Sequence, residues 1–165
     1  MKVGVALAGG GLKGLAHIGA LAALEELGVK IDYLSGTSSG SIFASFYAMG
    51  YSLKDIKERS MANYKLLTKI PKTPLFKAWA TYLGSGVAQI EGLMPGENIE
   101  NLVKEVSKDK NIVNMNQIEI PFAITAVDTI TTKECVFLSK EIKGKKRDDV
   151  DYIYDAPIAV ATRAS

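Results

Sequence analysis

The chain has 165 residues, 47% hydrophobic and 23% charged, with a net charge of +2. That balance describes a globular domain rather than a disordered chain, and it is too even for a nucleic-acid-binding surface. The single cysteine, Cys135, excludes an intrachain disulfide and points to a reducing, cytoplasmic setting.

Lys2 to Ala8 is an almost continuous apolar run, as expected of a strand covered on both faces. A signal peptide also begins with a lysine and apolar residues, but here Gly9-Gly10-Gly11 and Lys13 interrupt the run. Residues 12–27 are apolar almost all round and predict a well-buried helix stopped by Gly28. Ile31 to Ser35 predicts a second strand, and Ser39 to Met49 a second helix ended by Gly50. Ser52 and Asp55 have the spacing of a capping box and open a third helix.

Strand, helix, strand, helix in this order argues for right-handed crossovers and a mainly parallel sheet. Residues 61–94 interleave Leu66, Leu67, Ile70, Phe76, Trp79 and Tyr82 with Lys65, Lys69, Lys72 and Lys77. This stretch suits peripheral contact with anionic lipid, and equally a helix covering the sheet. Pro71 and Pro74 interrupt it, as a hinged cap would require. No apolar run reaches the ~18 residues of a membrane-spanning helix.

Glu97 to Ser107 carries Ile99, Leu102, Val103 and Val106 at helical spacing. Strands are expected at Pro121 to Val127 and Glu134 to Leu138, joined by an Asp/Thr-rich turn. The charged stretch 139–151 reads as a solvated loop, and Ala156 to Ala164 as a helix beginning near Pro157.

The chemistry concentrates in two glycine-framed turns, Gly9-Gly10-Gly11-Leu12-Lys13-Gly14 and Gly36-Thr37-Ser38-Ser39-Gly40, each following a strand and opening a helix. The second has the G-x-S-x-G spacing of a nucleophile elbow, in which small residues allow a bend that pushes Ser38 out of the sheet. Glycines 9–11 could bring bare backbone N–H groups to an oxyanion, towards which the Ser39 N–H also points. Two other readings stay open. Ser38 could be a plain helix N-cap. Gly9-x-Gly11-x-x-Gly14 is also formally a dinucleotide fingerprint, although Asp32 starts the second strand instead of ending it.

The one histidine, His17, precedes Ser38, which excludes the usual Ser, acid, His order. His17 reads as a packed or loop-supporting histidine, and a catalytic Ser38 would need a carboxylate as its base. No cluster has metal-ligand spacing, and no cofactor is expected.

Both turns, together with Leu15-Ala16-His17-Ile18-Gly19, Ala126-Val127-Asp128 and Arg163-Ala164-Ser165, resemble the patatin-like phospholipases, acyl hydrolases with a Ser–Asp dyad. The resemblance implies a three-layer α/β/α domain with a mainly parallel central sheet, spanning residues 1–165, and a lipid or acyl-ester substrate. It implies Ser38 as nucleophile and the Gly10, Gly11 and Ser39 amides as oxyanion donors. Gly9, Gly14, Gly36 and Gly40 would support the two turns. Lys13 would steady the loop or face an anionic head group, and a solvated lysine is the alternative. The family's Asp-Gly motif matches no aspartate here, so the expected base lies beyond Ser165 and the 165 residues alone should be weak or inactive. The competing class is a non-catalytic nucleotide-binding or regulatory module using the Gly9–Gly14 loop.

Overall fold

The computed structural model describes residues 1–63 and 96–165. The proposed lid or membrane stretch at 61–94 therefore falls almost wholly outside the described residues. Five strands form one sheet in the order β1 (Gly4–Leu7), β2 (Tyr33–Thr37), β3 (Phe122–Val127), β4 (Glu134–Leu138), β5 (Val150–Ile153). β1, β2 and β3 run parallel, β3 and β4 form an antiparallel hairpin, and β4 and β5 are again parallel. This is the expected α/β fold, a mainly parallel sheet flanked by helices.

The helices are α1 (Ala16–Glu26), α2 (Ser39–Ala48), α3 (Leu53–Ala62), α4 (Glu97–Asp109) and α5 (Ile158–Ala164). A 3-10 turn, Gly11–Leu15, precedes α1, so the second half of the glycine loop is itself helical. α2 lies on the face built by Leu7, Leu34, Phe122 and Ile124, all at most 4% exposed. Its Phe43 and Phe46, with Ile158 and Ala161 of α5 and Val103 and Val106 of α4, complete the core. On the opposite face of β1 and β2, Gly4, Ala6, Tyr33 and Thr37 are exposed.

The capping expected at Ser52 is present: its hydroxyl accepts from the Asp55 N–H at 3.1 Å and donates to the Asp55 carboxylate at 2.6 Å. The amphipathic α4 buries Leu102, Val103 and Val106, as its spacing requires.

Two expectations need correction. The charged stretch 139–151 is not wholly loop, because Val150 and Asp151 enter β5, where Asp151 pairs with Cys135 and Val150 is 6% exposed. Dense charge hid a short strand whose solvent side carries Asp151, ion-paired with Lys133 at 3.7 Å. The helix after the glycine loop is not well buried either. Leu21 is the one buried residue of α1, and Leu27 beyond it is 77% exposed. A helix apolar all round offers no preferred face, so composition alone overstated its burial.

Candidate active site

Both glycine motifs sit at the carboxyl ends of adjacent parallel strands, where open α/β sheets place their ligands. β2 runs to Thr37 and α2 starts at Ser39, so Ser38 is the whole turn. Its backbone lies at φ 53° and ψ −127°, a conformation that a side chain rarely adopts and that costs of order 1–3 kcal/mol.

The flanking glycines explain how the turn closes. A methyl on Gly36 would stand 2.6 Å from both the Gly40 carbonyl oxygen and the Ser41 Cα. A methyl on Gly40 would collide with the Leu7 carbonyl oxygen. The helix thus sits directly on the strand backbones, and G-x-S-x-G is demanded here by close packing. The Ser41 N–H and hydroxyl both donate to the Ser38 carbonyl, at 2.9 and 2.6 Å, which fixes the first turn of α2.

The first loop meets the second. A methyl on Gly9 would lie 3.0 Å from Ser38 Cβ, and one on Gly14 would lie 2.7 Å from Ser39 Oγ and 2.9 Å from the Phe43 ring. Around Gly10 and Gly11 there is room: Gly11, at φ 56°, faces no atom within 4 Å. The Lys13 N–H donates to the Gly10 carbonyl at 3.1 Å, and its side chain is exposed.

His17 supports the loop, as expected: its Nε2–H donates to the Ala8 carbonyl at 2.8 Å. Its ring packs edge-on against Phe43 with centroids 6.3 Å apart. Asp128 is likewise occupied. It accepts from the Ile130 N–H at 2.8 Å and the Thr131 hydroxyl at 2.9 Å, and these bonds, the Ile130 N–H foremost, hold its carboxyl below the usual aspartate range. It organises the β3–β4 turn.

Beside Ser38 opens a cavity of about 360 Å³ with walls of Leu12, Leu15, Ile42, Phe43 and Ile99. Arg163 and Ser165 of the α5 end complete it. Ser39 Oγ is buried with no hydrogen-bond partner among the described residues. Two contacts had no signal in the sequence. Ser165 Oγ accepts the backbone N–H of Ser38 at 2.7 Å across 127 positions, and Arg163 donates to Glu100 at 2.7 Å. Local periodicity and spacing carry no information on partners so far apart.

The dinucleotide reading loses its acid here. Asp32 accepts from the Val3 N–H at 2.8 Å at the start of β2. The Gly9–Gly14 loop leaves β1 at the other end of the sheet, some four to five residues or roughly 15 Å away. Among the described residues no group of three or more His, Cys, Asp or Glu is placed to hold a metal ion, and no helix is long and apolar enough to cross a membrane.

The patatin-like phospholipase profile matches residues 5–165. The chain is 51% identical over 57 residues to lysophospholipase NTE1 of Kluyveromyces lactis, covering 34% of this chain and 4% of that protein. It is 30% identical over 113 residues to human patatin-like phospholipase domain-containing protein 6, covering 68% of this chain and 8% of that protein. The type III effector protein ExoU superposes over 98% of the chain and 38% of its own with a TM-score of 0.55 at 17% identity, a likeness of fold. The chain spans less than a tenth of the length of these two curated relatives. With a family profile matched from the first strand through Ser165, the chain belongs to the patatin-like phospholipase family.

Proposed function

We propose that Ser38 is the nucleophile of a lipid acyl hydrolase. The observation that carries this is a strained serine at a strand-to-helix turn, next to a glycine loop and open to an apolar cavity of about 360 Å³. Such a cavity suits an acyl chain better than a polar head group.

Ser38 Oγ attacks the ester carbonyl carbon as its proton passes to a carboxylate base, which then protonates the departing alkoxide. The acyl-enzyme is released by water activated at the same base. The Gly10, Gly11 and Ser39 amides stabilise the oxyanion. The Ser39 N–H lies in the first turn of α2, where backbone donors lack intrahelical partners and the helix dipole adds positive charge. A single donor of this kind is worth about 3 kcal/mol of barrier.

The carboxylate base is read as the aspartate of the family's Asp-Gly motif, which no aspartate in this sequence matches. Among the described residues, His17 already donates to the Ala8 carbonyl and Asp128 accepts from its own turn. The 165-residue chain alone then hydrolyses esters weakly or not at all. Contact with anionic lipid through residues 61–94 belongs to the same reading and is tested by reversing Lys69 and Lys77 to Glu. Weaker binding to anionic vesicles is the expected outcome.

The experiment for the central reading is fluorophosphonate labelling with short-chain p-nitrophenyl ester hydrolysis. It is run on the 165-residue chain and on a form extended through the next Asp-Gly motif. Activity confined to the longer form and abolished by Ser38→Ala supports it. A folded, unlabelled longer form overturns it and returns the glycine loop to a binding role.

A further inference from the structure

Ser38 N–H belongs to neither neighbouring element. β2 ends at Thr37, and the first residue of α2 is Ser39. The partner of this amide is a side chain from the far end of the chain: Ser165 Oγ accepts it at 2.7 Å. Ser165 directly follows α5, and α5 is anchored to its neighbours. Within α5, Thr162 meets Ser45 of α2 at 3.0 Å, and Arg163 donates to Glu100 of α4 at 2.7 Å. Two neighbouring helices therefore hold the end of α5 from which Ser165 reaches the Ser38 N–H.

We infer that Ser165 is a positioning residue for the nucleophile, clamping the Ser38 amide so that the strained turn keeps Ser38 Oγ directed at the cavity. This rests on the reading of Ser38 as nucleophile. A turn at φ 53° relaxes readily to an ordinary conformation unless its surroundings over-determine it, and the amide bond to Ser165 is one such constraint. The same bond occupies the Ser38 N–H, so the elbow's oxyanion donor is the Ser39 N–H. The Ser165 hydroxyl, accepting from Ser38, keeps its own proton to donate elsewhere, and both side chains line the same cavity.

The test uses the full-length protein with Ser165→Ala and Ser165→Thr, the second keeping the Oγ acceptor. Three quantities are read: the rate of fluorophosphonate labelling of Ser38, kcat and KM on a short-chain p-nitrophenyl ester, and hydrogen exchange at the Ser38 amide. Misplacing a reacting atom by an ångström costs on the order of a hundredfold. Ser165→Ala should therefore slow labelling and kcat by roughly ten- to a hundredfold with KM unchanged. It should also speed Ser38 amide exchange, and Ser165→Thr should restore all three. Labelling by Ser165→Ala at the wild-type rate overturns the inference, as does an equal loss in the Thr variant in step with falling Tm. If Ser165→Ala does not fold, Ser165→Cys, a similar volume with a weak acceptor, takes its place. A wild type that is never labelled, yet protects the Ser38 amide through Ser165, defeats the hydrolase reading and leaves the contact standing.

Discussion

The two glycine motifs look alike in sequence, and Gly9 and Gly14 are closely packed like the elbow glycines, but Gly10 and Gly11 are glycines for a different physical reason. In the elbow, Gly36 and Gly40 press against backbone, with the Gly40 and Leu7 carbonyl oxygens where a side chain would go. In the loop, a methyl on Gly10 would make only ordinary contact at 3.4 Å with Lys13 Cβ, and Gly11 faces open space. The elbow glycines are required for the helix to sit on the sheet. The loop glycines at 10 and 11 leave free approach to the atoms beside Ser38.

That contrast is broken most directly at Gly40. Gly40→Ala forces α2 away from the β1 backbone, and neither side of the clash is a flexible side chain. Overpacking of this kind costs about 3 kcal/mol. Thermal melting should show a Tm lower by roughly 6–12 °C. An unchanged Tm would mean that α2 does not lie on the strands as described.

Gly10→Ala should behave in the opposite way. A methyl on Gly10 would meet only Lys13 Cβ, at 3.4 Å, so stability should move by less than ~1 kcal/mol. The added methyl stands beside the proposed oxyanion, so kcat on a short-chain ester should fall roughly tenfold or more. Loss of stability with retained activity would reverse the roles assigned to the two motifs.

Ser38→Gly sharpens the elbow side. Glycine accepts φ 53° without penalty, so it should relieve part of the strain and raise stability by about 1 kcal/mol, less its extra unfolded-state entropy, while abolishing labelling. A destabilised variant would show that the turn at Ser38 is relaxed.

Much of this was legible in the sequence because it is local. Strand-then-glycine-then-helix order placed both motifs at the same end of a parallel sheet, and Ser52 with Asp55 announced α3. What escaped depended on distant chain. α1 and α2 are both apolar, yet α2 buries seven residues and α1 one, because α2 lies on the sheet and α1 does not. β5 was obscured by the charges around it, its pairing with β4 being invisible to periodicity. The Ser165 contact with Ser38 spans nearly the whole sequence.

The smallest effect tests the support behind the elbow, where α4 holds α5. The Glu100 side chain is only 13% exposed, and hydrogen bonds from Lys104 first and Arg163 second hold its carboxyl below its ordinary value of 4.5. A carboxyl depressed in the folded state stabilises the fold above that ordinary value, and the contribution is lost as the pH falls through the folded-state value. Glu100→Gln should therefore lower Tm near neutral pH, and the gap from wild type should narrow below about pH 4.5. The same substitution frees Arg163 and loosens the α5 end that carries Ser165. Ser38 amide exchange should quicken slightly, and by less than in Ser165→Ala. A Tm gap that stayed constant down to pH 3 would mean that Glu100 contributes through packing, and that the ion pair does not tie α5 to α4.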